Sequence, residues 1–185
     1  MIDLESYIRD VPDFPKPGII FKDITPLLAS PEALSEAVEQ LAAPFDDKQV
    51  EIVTGVESRG FIFGSLVAAR LKAGFVPIRK PGKLPAETVS QSYELEYGTD
   101  TIEMHADAIR PGQKVLMVDD LLATGGTMAA ACELVRKVGG EIVAAVFVIE
   151  LCFLNPRDKL DVCEIRSLIR VEGEREEGRE PPESA

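Results

Sequence analysis

Two adjacent acids, Asp119 and Asp120, stand between the apolar run Val115 to Val118 and the small-residue stretch Ala123-Thr124-Gly125-Gly126-Thr127. The run suits a strand buried on both faces of a parallel sheet. Met128 to Val138 carries a helix pattern. A tight loop at a helix N-terminus presents successive backbone N–H groups, a good cradle for a phosphate. The two acids would repel a phosphate, so they fit as acceptors for hydroxyls or as magnesium ligands. Acid pair and loop together suit a ligand that is both sugar and phosphate. The stretch is not a Walker loop, because no Lys follows Gly126 and two acids precede the turn. Nor does it follow the dinucleotide-binding glycine pattern.

Three further stretches carry chemistry-bearing residues. Gly55 to Gly64, GVESRGFIFG, puts a charged triplet at a strand end. Arg79, Lys80 and Lys83 concentrate cations in an acidic chain, and a guanidinium fork beside point charges suits a diphosphate. Ser92 to Gly98, SYELEYG, places Glu94 and Glu96 on one face and Tyr93, Leu95 and Tyr97 on the other. It reads as part of a hairpin able to serve as a mobile lid over a site.

The elements that position these groups alternate. A short amphipathic helix is expected over Met1 to Ile8, then a rigid proline-rich connector over Val11 to Gly18 and an extended segment over Ile19 to Ile24. Ser30-Pro31 starts a helix, with Leu34, Val38 and Leu41 on one face, that ends near Pro44. Strands follow over Glu51 to Thr54 and Phe75 to Arg79, flanking a helix from Phe61 to Leu71. The run PGKLPAETVSQS reads as a long loop. A hairpin of Tyr93 to Tyr97 and Thr101 to His105 comes next, turning at Gly98-Thr99. Ile142 to Glu150 is a strand, and Cys163 to Val171 a last one at a sheet edge. This order predicts an α/β fold: a twisted parallel sheet with helices on both faces. Ligands of such sheets bind outside the carboxyl ends of the strands. Gly55 to Gly60, Arg79 to Lys83, Asp119 to Thr127 and Leu151 should therefore share one rim.

A chain of 185 residues fits a single domain. That domain is expected over 1–171, with an acidic tail over 172–185. Net charge is −12; six Glu and two Arg from Glu172 onward give −4 and leave −8 on the body. Such a body argues against general nucleic-acid binding. No apolar run approaches a membrane span, and MIDLESYIRD is not a signal peptide, so a cytoplasmic protein is expected. Cys132, Cys152 and Cys163 lack metal-ligand spacing and read as buried free thiols.

KVLMVDDLLATGGT, Lys114 to Thr127, resembles the phosphoribosyl-pyrophosphate (PRPP) signature of the type I phosphoribosyltransferases. FPKPGIIFKD, GVESRGFIFG, RKPGKLP and SYELEYG together resemble the adenine-specific branch of that family, over about Val11 to Leu168. The resemblance implies transfer of the 5-phosphoribosyl group from PRPP to adenine, giving AMP and pyrophosphate, with Mg2+ held mainly by PRPP. It implies that Asp119 and Asp120 bind the ribose hydroxyls and that Ala123, Thr124, Gly125, Gly126 and Thr127 hold the 5′-phosphate. Pyrophosphate falls to Glu57, Ser58, Arg79, Lys80 and Lys83, with a cis peptide expected between Glu57 and Ser58. Arg59 points at the ligand, and Glu96 and Tyr97 match catalytic positions of the flexible lid. Backbone groups of Ile20 and Lys22 read the base, which Phe21 and Leu151 sandwich. A small hood from 1–30 and 151–171 and a homodimer are also implied. His105 is read as structural or exposed. Asn155-Pro156 replaces a glycine-containing turn common in relatives, and neither it nor the tail is expected to touch a site residue. A transferase for another base and a PRPP-sensing regulator are the rival readings.

Overall fold

The computed structural model describes residues 2–94, 98–162 and 164–173. Its centre is a five-stranded parallel sheet made of β3 (Ile52–Val56), β4 (Gly74–Ile78), β7 (Lys114–Leu122), β8 (Glu141–Leu151) and β9 (Ile165–Val171), ordered β4-β3-β7-β8-β9. The α/β expectation is met, and β9 is an edge strand as anticipated. Two antiparallel pairs form separate sheets, the second tied to the end of β4 by a bridge between Arg79 and Glu103. One joins β1 (Arg9–Pro12) to β2 (Ile20–Asp23), and the other joins β5 (Thr88–Glu94) to β6 (Thr99–His105).

Strand alternation explains the two-sided core. Leu116 and Val118 of β7 face one cluster, with Val53, Ala144 and Val146. This cluster also takes Ala33, Ala37 and Leu41 of α2 (Pro31–Ala42) and Phe63 and Val67 of α3 (Gly60–Leu71). Val115 and Met117 face the other cluster, with Ala145 and Phe147. There they meet Ala131, Leu134 and Val135 of α4 (Gly126–Lys137) and Ile102 and Met104 of β6. Both faces of β7 are therefore dry, which is why its sequence is continuously apolar before the acids.

Several local expectations shift. The N-terminal helix shrinks to a single 3-10 turn, Glu5–Tyr7. A short helix α1, Thr25–Ala29, follows β2, with Asp23 accepting from the Thr25 N–H at 2.9 Å. The buried stripe of α2 is Ala33, Ala37 and Leu41, with Leu34 and Val38 only half-buried. Its Ser30 cap is as expected, accepting from Ala33 N. The loop after β4 is shorter than PGKLPAETVSQS suggested, because β5 begins at Thr88 and pairs with β6 down to His105. That hairpin leans on α4, where Lys137 Nζ donates to Ser90 O at 2.8 Å. Its sequence lacks an apolar run because only one face is buried. Most consequentially, β7 continues through the acid pair to Leu122, because β8 is long enough to keep pairing with it.

Among the described residues, no helix is long and apolar enough to cross a membrane. Cys132 is buried, and burial pushes its thiol up to about 11. Cys152 is only half-buried, contrary to expectation, because it lies in the 3-10 turn after β8. Cys163 lies outside the described residues.

Candidate active site

A cleft of about 450 Å³ opens at the carboxyl ends of β3 and β7, as the strand order requires. Its walls are Val56 to Arg59, Asp119 to Gly125, Thr127, Met128 and Phe21. The sheet thus brings the GVESRG stretch, the acid pair and the small-residue loop together, and β2 delivers one aromatic ring to them.

Close backbone packing makes this possible. A side chain at Gly55 would put its Cβ 2.5 Å from Gly60 O, and one at Gly60 would stand 2.7 Å from Asp119 Oδ1. The turn between them carries the anticipated cis peptide at Glu57–Ser58. At the other wall, Gly125 has φ +79°, and a Cβ there would lie 2.4 Å from Pro156 O. Only glycine fits such a conformation under such a roof. The turn at Asn155-Pro156 therefore does touch a candidate site residue. It was expected to stand clear, but the 3-10 turn Pro156–Lys159 folds back over the start of α4. That turn is anchored by Glu150, 1% exposed at the end of β8. Arg157 donates to it at 2.6 and 2.7 Å, and Ser167 at 2.7 Å. The Arg157 hydrogen bonds hold the Glu150 carboxyl below its usual value, against the opposing pull of burial.

One buried oxygen of the acid pair is short of a donor. Asp120 is 3% exposed, and its Oδ2 has no hydrogen-bond partner among the described residues. The Arg59 guanidinium lies 2.9 Å from that oxygen without a hydrogen bond. Asp119 is half-buried, and its Oδ1 accepts from the Asp120 N–H at 2.9 Å. Burial raises both carboxyls above their ordinary value. The Asp120 charge pushes Asp119 further up, whereas Arg59 partly offsets the rise at Asp120. Buried acceptors without donors are sites where ligand hydroxyls gain most. Arg59 also lies over the Phe21 ring, 5.1 Å from its centroid, and Phe14 meets Phe21 edge-on at 5.2 Å.

The cation cluster is arranged differently. Arg79, Lys80 and Lys83 do not line the cleft. Arg79 Nε and Lys83 Nζ each donate to the Glu57 carboxylate at 2.8 Å, and Lys80 N adds a third bond at 3.1 Å. Burial alone would raise the Glu57 carboxyl, but Lys83, Arg79 and the Lys80 N–H outweigh it and hold it at about 2. The Lys80 ammonium pairs with Asp100 and bonds the Tyr93 hydroxyl. The family resemblance implies only a backbone role for Glu57. Its side chain is a hub because parallel pairing of Val56 with Ile78 puts residues 57 and 79 side by side. Strand adjacency was the signal available for it.

Among the remaining candidates, Ile20, Lys22, Gly126 and Leu151 stay outside the cleft lining. Lys22 Nζ pairs with Asp10 at 2.7 Å. Leu151 packs half-buried against the core, and Gly126 abuts the Tyr93 ring. Glu96 and Tyr97 lie outside the described residues. His105 Nε2 accepts weakly from Ala86 N at 3.4 Å, far in the chain from any cleft residue.

A protein-family model for the phosphoribosyl transferase domain matches residues 23–168, and the chain belongs to that family. The adenine phosphoribosyltransferase of Thermobifida fusca is 56% identical over 168 residues, covering 91% of this chain and 96% of that one. The crystal structure of adenine phosphoribosyltransferase from Thermoanaerobacter pseudethanolicus superposes with a TM-score of 0.88 at 52% identity, covering 91% of this chain and 98% of that one. The Saccharomyces cerevisiae enzyme, solved with a dideoxy-imino-altritol bisphosphate and adenine, gives a TM-score of 0.84 at 40% identity, covering 90% of this chain and 96% of that one.

Proposed function

We propose that this chain transfers the 5-phosphoribosyl group of PRPP to adenine, forming AMP and pyrophosphate. The observation that carries the reading is one cleft holding a donor-starved acid pair, a glycine-rich phosphate cradle and an aromatic ring. Asp119 and Asp120 accept from the ribose 2′- and 3′-hydroxyls. Ala123 to Thr127 hold the 5′-phosphate at the start of α4, where backbone N–H groups converge. Phe21 stacks on the base, with Leu151 on its other face. β2 pairs on one side only, so one row of its backbone groups faces away from β1. Ile20 and Lys22 read the base edge with such groups. A 6-amino and a 6-oxo purine exchange donor for acceptor, so a mismatch leaves buried groups unpaired.

In the reaction, N9 of adenine forms a bond to C1′ as the C1′–O bond to pyrophosphate breaks. Positive charge grows on the ribose ring, and the adjacent carboxylates favour it. Arg59 stands between Phe21 and Asp120, where it meets base and pyrophosphate. The backbone at Glu57-Ser58 meets the departing pyrophosphate, with Arg79, Lys80 and Lys83 behind it. Glu96, with Tyr97 beside it, handles the proton at the base from the lid. No set of three or more metal-ligating side chains occurs among the described residues. A magnesium ion carried by the phosphates of PRPP would neutralise the leaving group. Residues 1–30 and 151–171 act as a hood over the rim. The cations Arg79 and Lys83 stand outside their own cleft, which agrees with a homodimer that brings them to a neighbouring site. The free thiols Cys132 and Cys152 agree with the reducing cytoplasm.

Pyrophosphate release from PRPP with magnesium, measured with adenine, hypoxanthine, guanine, xanthine and orotate, tests the reading. Adenine is expected to be turned over far faster than the others. Equal or faster turnover of another base would overturn the specificity, and PRPP binding without turnover of any base would favour a regulator.

A further inference from the structure

Tyr93 has no role in the reading above, yet its hydroxyl stands between two groups that do. A phenol offers one donor and two lone pairs. Here the hydroxyl donates to Asp100 Oδ2 at 3.2 Å and accepts from Lys80 Nζ and Thr127 Oγ1, each at 3.3 Å. Its capacity is filled. Lys80 follows β4 and Thr127 opens α4 after β7, and β3 separates β4 from β7 in the sheet. Only a residue brought in from outside the sheet can join them. The β5–β6 hairpin does so, lodging the Tyr93 ring against Gly126, where an added Cβ would lie 3.7 Å from Tyr93 Cδ2. The Lys80 ammonium also stands 5.6 Å from the centre of that ring.

We propose that Tyr93 is a positioning residue that relays the positive charge of Lys80 to the 5′-phosphate through two hydroxyls, its own and that of Thr127. The idea rests on the functional reading above, in which Thr127 holds that phosphate. A threonine hydroxyl has one proton. When it turns to a phosphate oxygen, its lone pairs become free to accept, and the Tyr93 proton is the nearest one. Tyr93 then donates to Thr127 instead of Asp100, and Asp100 keeps its ion pair with Lys80. The chain runs from Lys80 ammonium to Tyr93 hydroxyl to Thr127 hydroxyl to phosphate, every donor pointing the same way. Bonds aligned in this manner polarise and strengthen one another. A residue assigned by sequence to the pyrophosphate end of PRPP would thereby serve the opposite end too.

Ribose 5-phosphate is the discriminating probe, since it has the 5′-phosphate and no pyrophosphate. Its Kd is measured by calorimetry for the full chain, for Tyr93→Phe, for Lys80→Met and for the double variant. Tyr93→Phe keeps the ring and its packing, so its thermal midpoint should stay near wild type. The relay predicts that each single variant weakens binding about tenfold. It also predicts that Lys80→Met adds less than about twofold once Tyr93 is Phe. Thr127→Ser should bind like wild type, and Thr127→Val, which loses the direct bond to the phosphate as well as the relay, should weaken binding at least as much as Tyr93→Phe. An unchanged Kd in Tyr93→Phe, or a Lys80 effect of the same size in both backgrounds, overturns the relay while leaving the function standing. Should Lys80→Met fail to fold, the same comparison between Tyr93→Phe and Thr127→Val decides it. A wild type that does not bind ribose 5-phosphate overturns the relay, and wild-type turnover with adenine tests the function separately.

Discussion

Two strand ends lie side by side in this sheet, and their carboxylates behave in opposite ways. At the end of β3, Glu57 is surrounded by Arg79, Lys83 and the Lys80 N–H, and its carboxyl is held at about 2. Near the end of β7, Asp119 accepts from the Asp120 N–H, Asp120 Oδ2 has no hydrogen-bond partner among the described residues, and burial outweighs the nearby Arg59 and pushes both carboxyls upward. Burial is common to the two places; what differs is the supply of donors. Glu57 is saturated and acts on its neighbours by fixing where the cations stand. The acid pair is under-supplied, and that deficit is what a ribose with two hydroxyls would fill.

Breaking the under-supplied side should give the largest effect. Asp119→Asn is expected to lower kcat by roughly 10²–10³, in line with loss of a preorganised charge beside a developing cation. The circular dichroism spectrum should be preserved and the thermal midpoint at neutral pH should not fall, because the amide removes a buried charge without removing volume. Near-normal turnover would refute the role given to the pair. Gly125→Ala strikes the roof contact with Pro156 and the positive φ together. It should destabilise the fold by about 2 kcal/mol in urea unfolding and raise KM for PRPP more than KM for adenine. Glu57→Gln addresses the saturated side. The amide keeps the shape but loses charge-assisted bonds to Arg79 and Lys83, so about 1 kcal/mol of stability should go, with a smaller loss of kcat than in Asp119→Asn.

The same contrast appears in pH. The Glu57 carboxyl is depressed from 4.5 to about 2, so its contribution is present above its unfolded value and is lost as pH falls toward 2. Asp119 and Asp120 are raised above 3.8, so their protonated forms favour the fold below that value, and this advantage is lost as pH rises through their raised values. Urea midpoints followed from pH 2 to 7 should have a shallower acid limb in Glu57→Gln, with the rest of the slope left to other depressed carboxyls such as Asp23 and Glu150. Asp120→Asn should instead gain stability relative to wild type toward neutral pH. Identical slopes in both variants would mean that the two strand ends are not electrostatically distinct.

The placement of the acid pair could be read from the chain, but the contrast with Glu57 could not. The apolar run before Asp119, the glycine pair after it and the alternation of elements all act locally, and they placed β7, α4 and the cleft on one rim. The strand that carries Phe21 is bounded by Pro17-Gly18 and Thr25-Pro26, but only the resemblance of FPKPGIIFKD to the adenine-specific branch points its ring at a base. The hub at Glu57 was missed because its partners lie more than twenty residues away and meet it only through strand pairing. Pro156 was misjudged for a similar reason, since its place above Gly125 depends on the buried Glu150 holding Arg157. Tyr93 was seen as one face of a hairpin, and nothing in its spacing says that it reaches both Lys80 and Thr127. Contacts made across the sheet rim are tertiary, and local pattern does not encode them.

The account turns on what fills the deficit at the acid pair, and a direct measurement is available. Ribose 5-phosphate and 2,3-dideoxyribose 5-phosphate differ only in the hydroxyls that Asp119 and Asp120 would accept from. Wild type is expected to prefer the former by about tenfold or more in Kd, and the double variant Asp119→Asn/Asp120→Asn to bind both alike. A preference that survives in the double variant, or that is absent from wild type, would contradict the assignment of the ribose to this pair.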